Sequence, residues 1–339
     1  MTRDGNTVGF VSSIEGIHHD TGPHHAERPD RLRAIHRALR ESHWLTSPDP
    51  FPDFQLLLGA MQPAISPLIE LPSRPATLDE IALVHPINVI EDVRRRSAVS
   101  MVLDDGDTPT CPASFDCALL SAGGAIEATI AVASGRVHRA FACGRPPGHH
   151  AEPTRPMGFC LFSNIAIAAR YAQQVLGIGK VAIVDFDVHH GNGTQAAFED
   201  DPNVLFISIH QHPRTLYPGS GYEHETGIGR GEDYTLNVCM NPGTDDDDYA
   251  AAFDRKIIPR LDRFRPELLM ISAGFDAHAE DPLAQINLSE EAFEVMTQKL
   301  TSVADAHCDG RVVSVLEGGY HLRALGRSVV RHVRGLAMS

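Results

Sequence analysis

The sequence predicts an α/β fold in which a mainly parallel β-sheet is covered by helices on both faces. Short apolar runs rich in β-branched residues recur along the chain, and longer amphipathic stretches lie between them, which is typical of parallel strands joined by crossover helices. The composition, with 42% hydrophobic and 22% charged residues, is that of a globular protein with a large core. Polar side chains also follow every predicted strand, as ligand-binding α/β sheets require.

The apolar periodicity predicts the individual elements. The predicted strands are Arg139–Cys143, Val181–Asp185, Val204–Ile209, Leu268–Ser272 and Val312–Leu316. The predicted helices are Arg28–Glu41, Phe115–Ala133, Ser163–Leu176, Tyr249–Phe264, Glu290–Ala306 and Leu322–Val333. Proline-rich stretches at 48–52 and 63–75 indicate surface connections. No repeat or composition break marks a linker, so we expect one catalytic domain over residues 1–339.

Charge and cysteine usage narrow the class of protein. The formal net charge of −15 disfavours nucleic-acid binding and favours the approach of cationic substrates. The six cysteines form no CxxC pair, which argues against a disulfide framework and a cysteine zinc site. The start at Met1–Asn6 lacks the plan of a signal peptide, and no apolar run approaches membrane-spanning length. We therefore expect a cytoplasmic protein without a membrane partner, and a homo-oligomer stays open.

All five predicted strands are followed by ionisable or hydroxyl-bearing side chains, and four of the five segments also contain glycine. In open α/β sheets, ligands bind at the carboxyl ends of the strands. The five segments therefore predict a single site built from residues 145 to 320. They are Arg145–His150, Asp185–Asn192, Ser208–Gln211, Ala273–Asp276 and Glu317–Tyr320.

The second segment has the pattern of a metal site. Asp185, Asp187 and His189 occupy every second position, and alternate side chains of extended backbone share a face. Zinc accepts carboxylate and imidazole, and a catalytic zinc keeps one position open beside three protein ligands. Asp276, which ends another predicted strand, is the best candidate to join Asp187 and His189 as the third ligand. A helix N-cap is the alternative role for Asp276.

The remaining polar groups suit acid–base chemistry. A neutral histidine is the natural general base near neutral pH, so one of His149 and His150 could take a proton while the other fixes local charge. Asp185 and Asn192 could orient the two imidazoles. The phenol of Tyr320, which follows two glycines, could donate to a developing oxyanion. Satisfied core histidines and a half-buried turn tyrosine are the alternatives.

Two loops carry aromatic residues towards the same end of the sheet. Gly158–Phe159 and Tyr217–Gly219 are suited to line a slot for an extended apolar chain, with core packing as the alternative. The acidic run Asp245–Asp248 is typical of a solvated helix N-terminus, to which we assign no function.

These motifs resemble the zinc-dependent histone deacetylase superfamily, which also contains bacterial acetylpolyamine amidohydrolases and acetoin-utilisation proteins. The matching segments follow the family's order over nearly the full length. The Glu-Gly-Gly-Tyr and Ser-Ile-His-Gln segments are most similar to the class II and bacterial histone deacetylase-like amidohydrolase branch. The segments are 24–32, 145–150, 158–160, 185–193, 208–210, 273–276 and 317–320.

The resemblance implies an arginase-like, three-layer α/β fold with an eight-stranded, mainly parallel sheet. It implies one catalytic Zn²⁺ held by Asp187, His189 and Asp276. It further implies that His150 is the general base and acid, that His149 is its electrostatic partner, and that Tyr320 donates to the tetrahedral oxyanion. Asp185 would support His149, and Asn192 would support His150. Some vertebrate members with histidine in place of this tyrosine are weak deacetylases, so Tyr320 implies activity.

Structural potassium and a substrate-binding rim are further implications of the resemblance. One K⁺ site would use Asp185, the backbone of Asp187 and His189, and Ser208 with Ile209. A second K⁺ site would lie near Phe198, Asp201, Val204 and Tyr234. Asp107 corresponds to the rim aspartate that grips the substrate backbone, with Asp104 and Asp105 close by in sequence. Gly158, Phe159 and Tyr217 would line the substrate channel.

The leading functional hypothesis is a zinc amidohydrolase that removes acetyl or other acyl groups from N-acyl-lysine. An acetylpolyamine deacetylase is the close alternative; such specialists tend to carry an acidic gatekeeper, for which Glu280 is the candidate. A two-manganese ureohydrolase lacks ligands for its second metal after Asp187. A non-catalytic acyl-amine binding protein is the remaining alternative, and the choice between zinc and iron stays open.

Overall fold

A parallel β-sheet crosses the middle of the protein. The computed structural model describes residues 7–104 and 106–338, so the expectations placed on Met1–Asn6 and on Asp105 lie outside the described residues. Within them, eight strands form one sheet in the order β2-β1-β3-β8-β7-β4-β5-β6, and all neighbouring strands pair in parallel. The strands are β1 (Val8–Ser12), β2 (Ile69–Leu71), β3 (Arg139–Cys143), β4 (Val181–Asp185), β5 (Val204–Gln211), β6 (Thr235–Met240), β7 (Leu268–Ala273) and β8 (Val312–Leu316).

Helices cover both faces of this sheet. The described helices are α1 (Asp30–Glu41), α2 (Leu78–Ile81), α3 (Ile87–Ala98), α4 (Ser114–Ala133), α5 (Asn164–Gln174), α6 (Asn192–Phe198), α7 (Asp246–Ala252), α8 (Ile258–Phe264), α9 (Glu290–His307) and α10 (Leu322–Ala337). Successive residues of β4 point to opposite sides, so Ala182 and Val184 pack under α1, α9 and α10, whereas Val181 and Ile183 pack under α4 and α5. The three-layer α/β fold is confirmed.

The five predicted strands are confirmed, and β5 and β7 each extend beyond the predicted end. They are β3, β8, β7, β4 and β5, which are consecutive neighbours in the sheet. Their carboxyl ends therefore lie side by side, which places the polar segments after them at one edge. The sequence reasoning missed the outer strands β1, β2 and β6; β2, three residues long, lies in a stretch predicted as a surface connection.

Several helices differ from the prediction. The stretch 249–264, predicted as one helix, is split by a π-helical turn at Phe253–Ile257 between α7 and α8. Helices α2, α3 and α6 were not predicted. The expectation that no apolar run reaches membrane-spanning length was wrong, since α4 is long and apolar enough by length and composition. However, 72% of that window is buried inside the structure, as in the core helix of a globular domain.

Candidate active site

Three buried ligand-type side chains meet where β4 and β7 end. Single ligand atoms of Asp187, His189 and Asp276 all lie within 4.8 Å of one another, and the three residues could hold a metal ion. The Nδ1 of His189 lies 3.1 Å from an oxygen of each carboxylate. Two buried carboxylates that share one imidazole favour a positive charge between them, which a bound metal ion would supply. The donor set therefore fits a divalent cation.

Backbone groups hold the two carboxylates in place. The amide of Gly318 donates to Asp187 (2.8 Å), and the amide of Val188 donates to Asp276 (2.9 Å). A Cβ at Gly318 would come within 2.1 Å of a carboxylate oxygen of Asp276, and a Cβ at Gly274 within 2.1 Å of one of Asp187. Glycine is therefore required at both positions for the strands to close around the triad.

The histidine pair faces the triad, and each ring has its own partner. Nδ1 of His149 lies 2.9 Å from Asp185 Oδ2, and its Nε2 lies 3.8 Å from Asp187 Oδ1. Nδ1 of His150 donates to Asn192 Oδ1 at 2.8 Å, while the Asn192 amide donates to Glu152. The sequence-predicted pairing of Asp185 with His149 and of Asn192 with His150 is present in the geometry.

These partners separate the protonation preferences of the two rings. Burial lowers the pKa of His149, but the carboxylates of Asp187 and Asp185 outweigh it and hold that pKa well above its usual value. Burial, followed by the charge of His149, lowers the pKa of His150 well below its usual value. The ring centroids are 4.0 Å apart. A charged His149 therefore sits beside a neutral His150, whose lone pair is free to accept a proton.

Tyr320 lies on a turn that is fixed from several sides. Its side chain is 8% exposed, and its ring contacts Phe159 edge-to-face at 5.8 Å. The guanidinium of Arg31 lies 5.0 Å from the ring centroid and donates to the carbonyls of Gly319 (2.7 Å) and Glu317. Burial raises the pKa of Tyr320 well above its usual value, so its phenol stays protonated and can donate.

A pocket of about 240 Å³ joins these groups to the surface. Phe159 and Tyr217 both line it, and the Tyr217 ring lies 5.1 Å from that of His150. The predicted channel residues are thus brought together with the histidine pair and Tyr320. The described lining consists of Asp107, His150, Gly158, Phe159, His189, Leu216, Tyr217, Leu283 and Tyr320.

Two neighbouring aspartates at the pocket have different roles. Asp104 accepts hydrogen bonds from the amides of Asp107, Thr108 and Gly158 and so shapes the loop. Asp107 lines the pocket instead. Burial and the charge of Asp104 raise the pKa of Asp107. The predicted rim position of Asp107 agrees with this placement.

The residues predicted for potassium also lie close together. Asp185 and Ser208 are opposite each other in the register of β4 and β5. At the second predicted K⁺ site, three backbone carbonyls accept hydrogen bonds from backbone amides. The bonds are Asp201 to Phe198, Val204 to Asp201 and Phe206 to Tyr234, with the amide donor named first. Each of these carbonyls keeps a second lone pair.

Some site residues had no role in the sequence prediction. Glu317 accepts the amides of Gly148 (2.7 Å) and His149 (3.1 Å) and so anchors the histidine loop to β8. Its position in the Glu-Gly-Gly-Tyr segment was a signal that could have found it. Leu216 and Leu283 are ordinary loop leucines, and nothing in the sequence distinguishes them.

The family model of the histone deacetylase domain matches residues 25–336. The chain belongs to the histone deacetylase family. A histone deacetylase-like amidohydrolase of Pseudomonas aeruginosa is 41% identical over 272 residues, which cover 79% of this chain and 71% of that protein. The chloroplastic histone deacetylase 10 of Oryza sativa is 44% identical over 267 residues, which cover 76% of this chain and 60% of the rice protein. The matched part thus spans less than two thirds of the rice relative.

A solved structure of this family has the same fold. The crystal structure of the HDA15 HD domain superimposes with a TM-score of 0.85 at 35% identity and covers 98% of this chain and 89% of that one. Its arginase-like deacetylase fold agrees with the eight-stranded parallel sheet. The deacetylase family assigns the chain to the hydrolases, and the Asp187–His189–Asp276 triad could hold the metal ion that the family suggests.

Proposed function

We propose that the protein is a zinc-dependent amidohydrolase that removes acetyl or other acyl groups from N-acyl-lysine. The observation that carries the proposal is the arrangement of the buried Asp187–His189–Asp276 triad, His150 and Tyr320 around one pocket. A bound zinc ion in such an Asp₂His site would polarise the acyl carbonyl and lower the pKa of water. The protein supplies proton transfer, charge stabilisation and the walls that position the acyl group.

His150 carries the proton in this scheme. Its Nδ1 is bonded to Asn192, so Nε2 is the nitrogen that accepts a proton from water as the water oxygen attacks the acyl carbon. The same proton then passes to the amine nitrogen as the C–N bond breaks. His149, charged and held by Asp185, favours the negative charge that develops nearby.

Tyr320 stabilises the oxygen of the tetrahedral state. Its phenol is protonated and lines the pocket, so it can donate a hydrogen bond to the former carbonyl oxygen. Phe159 and Tyr217 suit the alkyl chain of lysine between them, because aromatic walls bury methylene groups without demanding a polar partner.

The surroundings of Glu280 favour acyl-lysine over acetylpolyamine. Its carboxylate is paired with Arg327 (2.7 Å) and with His321 (3.2 Å), and the described pocket lining does not include it. A gatekeeper for a polyamine cation needs an unpaired negative charge at the pocket. Asp107 is the acidic group that lines the pocket, and in the proposed function it accepts a peptide backbone amide.

We also infer that potassium binds beside the active site. For the first site, the paired positions of Asp185 and Ser208 on neighbouring strands support this. For the second, the candidate oxygen ligands are the carbonyls of Phe198, Asp201 and Tyr234. Titration of metal-loaded protein with KCl against NaCl tests it; equal thermal midpoints in both salts would count against a K⁺ site.

The test of the proposed function compares two substrates with zinc-loaded protein. We expect an acetyl-lysine peptide to be turned over faster than acetylputrescine or acetylspermidine, and a chelator to abolish both until zinc is restored. Faster turnover of the polyamines would replace the lysine proposal. No metal-dependent turnover of either, with acyl-amine binding retained, would favour a binding protein instead.

A further inference from the structure

Asp281 is a buried carboxylate that bonds to the turn carrying Tyr320. It is 7% exposed. Its Oδ2 accepts the backbone amides of Tyr320 (2.7 Å) and His321 (3.2 Å), and its Oδ1 accepts the amide of Leu283 (3.1 Å). Both Tyr320 and Leu283 line the pocket, so one carboxylate ties two parts of its wall together.

The opposite side of the same turn is held by a cation. Arg31 donates to the carbonyls of Gly319 and Glu317, while Asp281 accepts the amides of Tyr320 and His321. Gly319 has a φ of +113°, a conformation that a non-glycine residue rarely adopts. The turn therefore has little intrinsic preference for its shape, and the two charged side chains determine where the phenol lies.

Arg31 and Asp281 together form a clamp on this turn. The sequence position of Asp281 connects the clamp to the metal triad. Asp281 is five residues after Asp276, and the segment between them makes a backbone bond from Asp281 to the carbonyl of His278 (2.9 Å). The same short segment thus bears a triad carboxylate at one end and the anchor of Tyr320 at the other. The separation between the metal site and the phenol depends on it.

We propose, resting on the oxyanion role proposed for Tyr320, that Asp281 is a positioning residue that sets the Tyr320 hydroxyl at its working distance from the metal triad. It touches no substrate and acts through the backbone of the turn. Small displacements of a reacting group can cost up to about 100-fold in rate. Loss of Asp281 therefore lowers kcat more than it raises KM.

Two substitutions of Asp281 distinguish the loss of all three of its hydrogen bonds from the loss of some of them. Asp281→Ala removes all three bonds, and we expect kcat for an acetyl-lysine peptide to fall by about 10-fold with zinc binding retained. Asp281→Asn keeps one accepting oxygen, but its NH₂ group must face an amide donor, so a smaller loss is expected. Asp246→Asn is the matched control, because Asp246 accepts the amide of Ser289 (2.8 Å) and neither residue belongs to the described pocket lining, so the kcat of this variant should stay within about twofold.

A double-mutant cycle shows whether Asp281 acts through Tyr320. In a Tyr320→Phe background, Asp281→Ala should cost almost nothing further, because the hydroxyl that it positions is gone. An equal loss in both backgrounds would overturn the inference and leave the function intact. If Tyr320→Phe alone leaves turnover unchanged, the oxyanion role proposed for Tyr320 fails instead.

Amide hydrogen exchange on the unmutated holoenzyme tests the bonds directly. The amides of Tyr320 and His321 should exchange slowly, as protected core amides do, despite lying in a turn. Exchange at the rate of exposed loop amides would overturn the clamp even where the Asp281 variants fail to fold.

Discussion

Two buried charged clusters lie at the carboxyl end of the sheet, and they differ in how their charges are balanced. Glu27, fully buried, is held by two arginines: Arg31 at 3.1 Å and Arg145, whose Nη2 donates at 2.7 Å. The Asp187–His189–Asp276 triad has two carboxylates and one imidazole. The first cluster has two permanently charged guanidiniums, whereas the cations available to the second are imidazoles, including the charged His149 at 3.8 Å from Asp187.

The difference separates a structural cluster from a functional one. Burial raises the pKa of Glu27, but Arg145 and Arg31 outweigh it and hold that pKa far below its usual range. The guanidiniums also bond to backbone carbonyls, so nothing in the cluster is left to bind a ligand. A buried carboxylate pair that has only imidazoles as cations, with three ligand atoms close together, could hold a metal ion.

The largest effect is expected from Asp276→Asn. Asparagine keeps the oxygen that accepts the Val188 amide but removes a charge that a divalent ion needs. We expect zinc content after dialysis to fall to background and turnover to drop by roughly 10,000-fold, since a metal ion is worth several kcal/mol in the transition state. Zinc content by mass spectrometry with a kinetic assay checks this.

Metal-free wild-type protein is the control for Asp276→Asn. The variant should unfold at a temperature no lower than that of the metal-free wild type, because it removes one of two carboxylates that compete for His189. A variant with stoichiometric zinc and normal turnover would contradict the assignment of the triad.

Glu27→Gln tests the other cluster. It leaves Arg31 and Arg145 buried beside a neutral amide, and breaking a buried ion pair costs about 3–5 kcal/mol. We expect this loss in the free energy of unfolding, measured in urea. Exposed Glu232→Gln is the control and should change stability by less than about 0.5 kcal/mol. A free energy of unfolding equal to that of the wild type would mean that the ion pairs of Glu27 do not stabilise the fold.

The metal-binding triad could be predicted from the sequence, whereas the residue that positions Tyr320 could not. Asp187, His189 and Asp276 could be predicted because strand alternation and parallel topology bring strand ends to one edge. The bonds of Asp281 could not, because they join a loop residue to backbone amides 39 and 40 residues away, and backbone donors leave no trace in side-chain identity. Short edge strands such as β2 were missed for a related reason: three residues carry too little periodicity.

Tyr320→Phe removes one hydroxyl from the functional cluster and no charge. Since loss of one oxyanion donor costs about 100-fold or more, kcat should fall by about that factor while the KM for an acetyl-lysine peptide changes little. Tyr171→Phe, on α5 and packed against the core, is the matched control and should leave kcat unchanged. A fall in the Tyr171 variant as large as that of Tyr320→Phe would attribute both effects to packing.

The smallest effect is expected at the rim of the pocket, where the carboxylate of Asp104 has hydrogen-bond partners among the described residues and that of Asp107 does not. Asp104 is satisfied by the amides of its own loop, whereas Asp107 faces the pocket and accepts no hydrogen bond from the described residues. Asp107→Asn should therefore raise the KM of a peptide by about 10-fold, the worth of one charge-assisted hydrogen bond, with kcat nearly constant.

A small substrate sharpens this last prediction. Acetyl-lysine without flanking peptide bonds offers fewer backbone amides, so Asp107→Asn should change its KM much less than that of the peptide. Exposed Asp116→Asn is the control for lost negative charge and should alter neither KM. An equal rise for both substrates would mean that Asp107 does not act by a bond to the peptide backbone, because only that bond is absent in free acetyl-lysine.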